Sequence, residues 1–484
     1  QTAAPYAGKL PGVIMPTDIE YAYAGLEGKQ ERYDALWDWY AGQHPIVYNA
    51  SKLREIFKDL NANFSENWCG VVVNTILDRI AIERFQIGDG KDEAAQGALA
   101  QLWRSTELDR DAYDAHLCAL VTGEAFIVCG EDGAGNIEAY FNDSRLCHMV
   151  YEEAKPHTPR FAAKWYELTD AVTGSVATHM TLYYPDRLEY WQASQPRAQL
   201  SNGKAFTLQS TATNPYGEIP VYHLRRERRE LSSELADIIP LQAQLNKMLA
   251  DMMIAAEFGA FKQRYVIASF VGEGAALRLK NSPNEIWTLP GGAEGDQPTS
   301  VGEFAATELA NYLSAIDRAA NVIATVAGVP KTLLTATGDI PSGASLRALE
   351  APLIKKAERY AGRFEPVWRN VLHWLMVVSG QGAIDPDDID IIWAETGTTQ
   401  PEEDATTAKL WVEAGMPLKT VLRKQGWSEA EIEQLESDEA DEQAKAASLA
   451  QAYMQEAETN ASRQAGETRT NGAQPARRSP FIGS

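Results

Sequence analysis

Four aspartates between residues 385 and 390 form a dense group of carboxylates in the sequence. Hard cations such as Ca²⁺ and Mg²⁺ prefer oxygen ligands, but this segment lacks the glycine and the terminal glutamate of a calcium-binding loop. We therefore interpret Asp385, Asp387, Asp388 and Asp390 as a solvated turn before a strand at Ile389–Trp393. A metal-dependent enzyme that uses these carboxylates is a competing hypothesis, and it predicts that they line a pocket.

Nucleotide-binding and hydrolytic motifs are missing from the sequence. It contains no Walker loop, no H-E-x-x-H pair and no G-x-S-x-G elbow, and its seven histidines show no pairing at metal-ligand spacing. The four cysteines, at positions 69, 118, 129 and 147, lack the C-x-x-C spacing of a zinc ribbon, and we expect reduced thiols. The sequence therefore predicts no metal site, no cofactor, no catalytic residue and no enzymatic activity.

A basic run at residues 225–229 contains Arg225, Arg226, Arg228 and Arg229. These guanidinium groups could contact phosphates or a neighbouring subunit, or they could pair with nearby carboxylates, and we favour the pairing. The net charge is −23 and the pI is about 4.8. This balance argues against a protein that grips DNA through a basic surface, because such affinity comes from neutralising phosphates.

The secondary-structure elements that must position these groups are predicted to change from helices to strands along the first half of the chain. Apolar spacing predicts helices first and then alternating strands separated by turns, so residues 1–225 combine a helical start with an antiparallel sheet. A capping box at Thr17–Glu20 opens the first helix. The predicted helices are Tyr21–Tyr40, Asn67–Arg84, Glu93–Ser105 and Leu108–Thr122, and the predicted strands are 125–129, 137–141, 147–151, 161–168, 179–184 and 187–192.

Two long helices bracket a short β segment in the second half of the chain. Apolar residues at three-, four- and seven-residue spacings predict helices at 232–262, where Pro240 starts or kinks the regular part, and at 300–327. Residues 265–268 and 285–289 between them are strand-like. At ~1.5 Å per residue each helix would span about 40 Å. Such a hairpin with a β tip is an unusual shape for an enzyme.

The remaining segments are a polar loop, a strand and further helices. Residues 329–344 are small and polar and predict a loop, and residues 345–379 predict a helix bent by Pro352 and Pro366. No apolar run reaches the ~18 residues of a membrane span, and no leader sequence is evident. We further predict a lone strand at 389–393, a capped helix from Thr399, a short helix at 418–424, an acidic helix from Ser428, and disorder from about 459.

Six stretches appear in a familiar order: Leu36–Pro45, Asn67–Ile76, Thr122–Val128, Asn214–Val221, Ser233–Asn246 and Ser342–Leu349. Their order over residues 30–425 resembles the portal proteins, or head–tail connectors, of long-tailed double-stranded DNA bacteriophages. The branch is the one common among phages of Gram-positive hosts. The long-helix hairpin with its β tip falls where this family has its stem and clip.

The resemblance implies an α+β, mainly helical fold with wing, long-helix stem, small α/β clip and helical crown. The wing would comprise residues 1–231, and a strand at 385–398 would return to it. The other parts implied are stem helices at 232–262 and 300–328, a clip at 263–299, a tunnel loop at 329–344, a kinked helix at 345–384, a crown at 399–456 and a disordered tail at 457–484.

The resemblance also implies roles for particular residues. Small polar side chains suit a channel that passes DNA without gripping it. In the clip, the residues that would contact terminase or an adaptor are Arg278, Lys280, Glu285 and Trp287. In the tunnel loop, the residues that would face DNA are Lys331, Thr332, Thr335, Thr337, Asp339 and Ser342.

The function implied is that of a portal protein. It would form a dodecameric ring at one capsid vertex, serve as the channel for DNA packaging and ejection, and dock the large terminase and the head-completion or tail proteins. Major capsid and scaffolding proteins would be further partners, double-stranded DNA would pass non-specifically, and no membrane would be involved. The ring would assemble in the host cytoplasm and occupy the portal vertex of the virion. A minor head or scaffold-like protein is the alternative, and it predicts monomers or open assemblies.

Overall fold

The computed structural model describes residues 17–45, 66–88, 92–260, 264–267, 300–303, 308–334, 343–394, 397, 401–425, 427 and 429–470. The chain forms two units, one of residues 1–88 with 93–398 and one of residues 89–92 with 399–484. Helices and antiparallel strands both contribute to the described part of the chain, which agrees with the predicted α+β class.

Within the described residues, the first unit begins with helices α1 (Asp18–Glu27), α2 (Gln30–Tyr40) and α3 (Trp68–Leu77). The predicted capping box is confirmed, because the Thr17 backbone N–H donates to the Glu20 carboxylate at 2.8 Å. The single helix predicted over 21–40 is divided, since a turn at residues 28–29 separates α1 from α2.

The helix predicted at 67–84 is wrong beyond its first ten residues or so, because α3 ends at Leu77. Residues Ile82–Ile87 form strand β1, which pairs antiparallel with the strand Ile389–Trp393. The helix prediction used local spacing alone and had no means of including a partner so distant in sequence. The next two helices, α4 (Glu93–Ser105) and α5 (Leu108–Thr122), have the predicted bounds.

Eight strands follow α5 and form two antiparallel sheets. Their bounds are β2 (Glu124–Glu131), β3 (Ile137–Asn142), β4 (Cys147–Glu152), β5 (Lys155–Thr169), β6 (Val176–Tyr183), β7 (Arg187–Ala193), β8 (Thr207–Thr213) and β9 (Val221–Arg225). One sheet has the strand order β3-β2-β9 and the other has the order β4-β5-β6-β7-β8. The strands predicted between residues 125 and 192 are therefore confirmed.

The two predicted long helices are α6 (Ile239–Ala260) and α7 (Leu309–Ala327), which pack against each other. Pro240 lies in the first turn of α6, as predicted, because proline lacks an N–H that this turn would leave unpaired anyway. The second helix is shorter than predicted, since Ser300–Glu303 (β11) pairs with Arg264–Ile267 (β10) instead. The strand predicted at 285–289 lies outside the described residues.

The segment 329–344, predicted as a loop, is helical at residues 331–334 and again from residue 343. Residues Lys331–Leu334 form a short helix, α8, and Gly343–Val378 form the long helix α9. Helix α9 continues through Pro352 and Pro366, and apolar side chains along it are fully buried. Those contacts stabilise the helix where each proline removes a backbone N–H. The strand predicted at 389–393 is β12 (Ile389–Trp393), but it is not a lone strand, because it pairs with β1.

Three groups of buried apolar side chains hold the first unit together. Helix α1 covers one face of the five-stranded sheet, with Leu26, Phe161 and Trp165 buried between them. The opposite face packs against the three-stranded sheet around Phe126 and Val128. The largest group joins helices α2 to α5 with α6, α7, α9 and the three-stranded sheet.

The second unit contains α10 (Pro401–Glu413), α11 (Leu418–Lys424) and α12 (Glu429–Thr470). Helix α11 has the predicted bounds, and α12 begins directly after Ser428, where the acidic helix was predicted. It continues to Thr470, which corrects the disorder predicted for residues 457–470. None of the helices in the described ranges is both long enough and apolar enough to span a membrane.

Candidate functional site at the ends of the long helices

The C-terminal end of α7 turns the chain toward the predicted tunnel loop. Gly328 has a φ of +68°, in the left-handed region that glycine adopts without strain. Its N–H donates to the Thr325 carbonyl at 3.2 Å, and the Val329 N–H donates to the Ala324 carbonyl at 3.0 Å. This pair of bonds is a Schellman motif, which satisfies two of the carbonyls left free at a helix end.

A lysine from α9 binds a further carbonyl at the same helix end. The Lys356 ammonium donates to the Ala327 carbonyl oxygen at 2.5 Å and to Glu234 Oε1 at 2.6 Å. Its positive charge also complements the negative end of the α7 dipole. Only 15% of the Lys356 side chain and 5% of the Glu234 side chain are exposed, so solvent screens this pair less than a surface pair.

The other carboxylate oxygen of Glu234 is bound by two more side chains. The Tyr360 hydroxyl donates to Oε2 at 2.5 Å, and Arg226 Nη1 donates to it at 3.1 Å. Burial, followed by the charge of Glu234, raises the pKa of Tyr360 to about 12, so its hydroxyl keeps the proton that it donates. We call Arg226, Glu234, Lys356 and Tyr360 the root clamp.

Two members of the root clamp, Arg226 and Glu234, lie on the segment through which the chain enters α6. This segment runs against the C-terminal end of α5, where the Arg226 N–H donates to the Gly123 carbonyl at 3.0 Å. Gly123 has a φ of +99°, and a Cβ atom there would lie 2.9 Å from the Ser232 carbonyl oxygen. The close approach of the two backbones therefore requires glycine at position 123.

The four arginines of the basic run differ in their surroundings. Arg226 belongs to the root clamp, so the pairing alternative describes it. The Arg225 guanidinium lies over the Tyr151 ring, 4.8 Å from its centroid. Arg228 and Arg229 are exposed. For these last three arginines, a contact with phosphate or a neighbouring subunit stays a prediction.

The predicted tunnel-loop residues lie partly within the described structure. Lys331 is exposed at the start of α8, and Thr332 is half-buried. The structure thus describes the frame on both sides of this loop, formed by the end of α7 and the start of α9. The predicted site residues outside the described ranges are Thr335, Thr337, Asp339 and Ser342 of the tunnel loop, and Arg278, Lys280, Glu285 and Trp287 of the clip.

The aspartates near residue 385 form a capped turn. The Asp385 carboxylate accepts a hydrogen bond from the Asp387 N–H at 3.0 Å. Arg369 of α9 pairs with Asp390 at 3.3 Å and with Glu365 at 2.5 Å. Among the residues that the structure describes, no three His, Cys, Asp or Glu side chains form a group that could hold a metal ion. These observations fit the interpretation as a turn beside β12.

A second buried ionic group connects α2 to the sheets. Lys29 Nζ lies 2.7 Å from Glu124 Oε1, and the Tyr33 hydroxyl donates to the same oxygen at 2.9 Å. His223 Nε2 lies 2.8 Å from the other carboxylate oxygen, and its Nδ1 lies 2.9 Å from the Tyr151 hydroxyl. Burial opposes the ionisation of Glu124, but Lys29 and His223 outweigh it and hold the pKa below its usual range.

The sequence analysis missed Glu234, Lys356 and Tyr360. Lys356 and Tyr360 are four residues apart and Arg363 follows three residues later, a spacing that places all three on one face of a helix. That spacing was the available signal. It does not disclose the partner, because Glu234 lies 122 residues before Lys356 in the sequence.

Comparison with known proteins identifies the family. The family described as "Phage portal protein, SPP1 Gp6-like" matches residues 21–445, and the chain belongs to it. This confirms the family predicted from the sequence. Portal proteins form an oligomeric ring at a capsid vertex, and the ring is the channel through which DNA enters and leaves the head. That function follows for this chain from its family.

Two curated relatives are named "Portal protein". The one from Mycobacterium phage D29 is 26% identical over 385 residues, which cover 75% of this chain and 76% of the relative. The one from Mycobacterium phage L5 is 25% identical over 355 residues, which cover 69% and 70%. A solved structure described as the neck of an empty GTA particle computed with C6 symmetry has a TM-score of 0.45 at 12% identity, and it covers 76% of this chain and 90% of that chain.

Proposed function

We propose that this chain is one subunit of a dodecameric portal ring in which residues 329–344 are the tunnel loop facing DNA. The observation that carries the proposal is that α9 holds the end of α7 from which the chain enters this loop. Lys356 of α9 binds the Ala327 carbonyl at the end of α7, and a Cβ atom at Gly328 would lie 3.9 Å from Pro352 of α9. A short polar segment that begins at an anchored helix end suits a tunnel loop.

Charge supports the same proposal. A net charge of −23 disfavours tight binding to phosphates, and a channel must let DNA move. Lys331, exposed at the first position of α8, is proposed to touch phosphates transiently. The proposed loop residues beyond it are small or acidic: Thr332, Thr335, Thr337, Asp339 and Ser342.

Deleting Thr335–Pro341 tests the proposed loop. We expect ring formation to persist, because the root clamp and the packing of α7 on α6 are untouched, while the DNA content per capsid falls. Native mass spectrometry measures the ring and quantification of encapsidated DNA measures the packaging. A deletion of equal length at Arg477–Gly483 is the control. Loss of the ring, or full packaging without the loop, would contradict the proposal.

The other parts follow the same proposal. The pairing of β10 with β11 supports a clip at 263–299, because it brings the two ends of that segment together. We propose that terminase and a head-completion adaptor contact Arg278, Lys280, Glu285 and Trp287 there, and that the packaging motor belongs to the terminase. Residues 1–231 with 385–398 are proposed as the wing, and residues 399–456 as the crown. Capsid and scaffolding proteins are proposed partners in the host cytoplasm, where the ring assembles.

A further inference from the structure

We infer that Lys356 is a positioning residue for the tunnel loop and acts through the carbonyl end of α7. The inference rests on the proposed function, because it concerns the direction in which the chain leaves α7 for residues 329–344. Lys356 binds the carbonyl of Ala327, one residue before the left-handed Gly328. It therefore fixes the last peptide group of the helix directly.

Lys356 is itself held in place. A lysine side chain has four flexible bonds, and ordering it costs conformational entropy that its contacts must offset. Glu234 binds the ammonium at 2.6 Å and is bound in turn by Tyr360 and Arg226. Each charge in the root clamp thus has an opposite charge or a hydroxyl within hydrogen-bond distance, as shielded ionic groups require.

The root clamp joins three elements at one place. Glu234 lies on the segment that enters α6, Ala327 ends α7, and Lys356 and Tyr360 lie one turn apart on α9. A shift of α9 would either break the bond to Ala327 or move the roots of both long helices with it. The point at which the chain leaves α7 for the tunnel loop is therefore tied to the root of α6 through the Lys356 ammonium.

The substitution Lys356→Met in the full-length chain tests this assignment. Methionine retains much of the apolar side chain but removes the donor and the charge. Losing a charged hydrogen bond is expected to speed amide hydrogen exchange over residues 324–334 about tenfold. The Schellman amides of Gly328 and Val329 are the most direct reporters. Ring formation is expected to persist, and the DNA content per capsid is expected to fall.

The neighbouring Lys355 provides a matched control. Its side chain is 78% exposed and pairs only at the surface with Glu358, at 2.8 Å. Lys355→Met makes the same chemical change one residue away, and we expect unchanged exchange over 324–334 and unchanged packaging. Lys356→Arg keeps a donor and a positive charge, and it should hold exchange within about threefold of the natural chain.

The possible outcomes separate this inference from the proposed function. Unchanged exchange in Lys356→Met overturns the inference. Faster exchange with normal packaging also overturns it, and the proposed function still stands if deletion of Thr335–Pro341 impairs packaging. If Lys356→Met does not fold, Glu234→Gln removes the paired charge but keeps an acceptor. Faster exchange over 324–334 in Glu234→Gln then supports the inference, and unchanged exchange overturns it.

Discussion

The sheets and the long helices cover their apolar side chains to different extents. In the sheet region, β2 to β9 with α1, large side chains such as Phe126, Phe161 and Trp165 are at most 1% exposed. In the long helix α7, by contrast, Leu313 is 54% exposed and Val326 is 47% exposed. The sheet region also exposes apolar side chains, such as Leu168 and Leu208, but it has cores of its own, whereas Ile323 and Ala327 of α7 are buried in a core shared with other helices.

Two exposed side chains of α7 lie on a face apart from its buried one. Val322 and Val326 are four residues apart and share a face, whereas Ile323 and Ala327 are buried on another face. A helix that is apolar on two faces needs two partners, and α6 covers one of them. In a ring of identical subunits we expect a neighbouring copy to cover the other. The difference teaches that the sheet region is held by cores of its own, whereas we predict that the face of α7 with Val322 and Val326 is covered only on assembly.

The largest effect is expected inside the sheet region. Trp165 is 1% exposed, its Nε1 donates to the Arg145 carbonyl at 2.9 Å, and its ring lies edge-on to Tyr23. Trp165→Ala leaves a cavity and should lower the free energy of unfolding by about 3–5 kcal/mol. Urea denaturation followed by circular dichroism measures the loss. The control is Trp427→Ala, at a residue that is 42% exposed. An equal loss of unfolding free energy there would contradict the expectation that burial decides the size of the effect.

An intermediate effect is expected where α5 meets α9. The Trp368 Nε1 donates to His116 Nε2 at 2.8 Å, and Phe364 stacks on the imidazole. Burial lowers the pKa of His116 to about 3, although a backbone bond to Ile80 opposes this. A histidine with a lowered pKa takes up its proton only on unfolding, so stability is complete above pH 6.5 and falls as the pH drops. The loss through His116 alone is about 2 kcal/mol at pH 5.

Measurements of the free energy of unfolding between pH 7 and pH 5 check this dependence. In His116→Gln the amide can still accept from Trp368 but cannot titrate, so the pH slope should decrease by about one proton. Burial also lowers the pKa of His148, to about 4, and part of the slope therefore remains. His157→Gln, at an exposed position of β5, is the control. An unaltered slope in His116→Gln would show that another group carries the dependence.

The substitution expected to change stability least lies on α7. We expect the same substitution to have a large effect on ring assembly. Val322 is 40% exposed in the single chain, and Val322→Asp should change the free energy of unfolding by less than about 0.5 kcal/mol. In a ring the same carboxylate would be buried without a partner, so closed rings should be lost. Val172→Asp, at the tip between β5 and β6 where the valine is 94% exposed, should alter neither property. Native mass spectrometry distinguishes the two variants, and intact rings in Val322→Asp would falsify the assignment of this face.

Local patterns predicted much of the fold. The bounds of α4, α5 and α11 followed from apolar spacing, and the start of α6 followed from Pro240, because these features act within a few residues. The errors occurred where a distant partner decided the structure. Residues 82–84 and 300–303 looked helical but pair with 389–393 and 264–267, and no local spacing shows such a partner.

Less of the site was predictable. Apolar spacing predicted the segments of the long-helix hairpin, and the family match bears out the identification that the resemblance suggested. The sequence analysis did not predict the root clamp, because only the fold brings Lys356 of α9 close to Glu234 and Arg226. Arg226 was grouped with its exposed neighbours because a run of arginines gives no indication of which one turns inward.

The pairing of β1 with β12 has a consequence for the order in which the chain folds. Ile82 and Trp393 are paired although about 300 residues lie between them, and a ribosome adding ~5–20 residues per second needs about 15–60 s to synthesise that interval. The strands from β2 to β9 are made early and pair over short loops, so they can form while synthesis continues. β1 must wait for its partner until both long helices and α9 have left the ribosome. The first unit is thus closed late, by a strand made after most of the molecule.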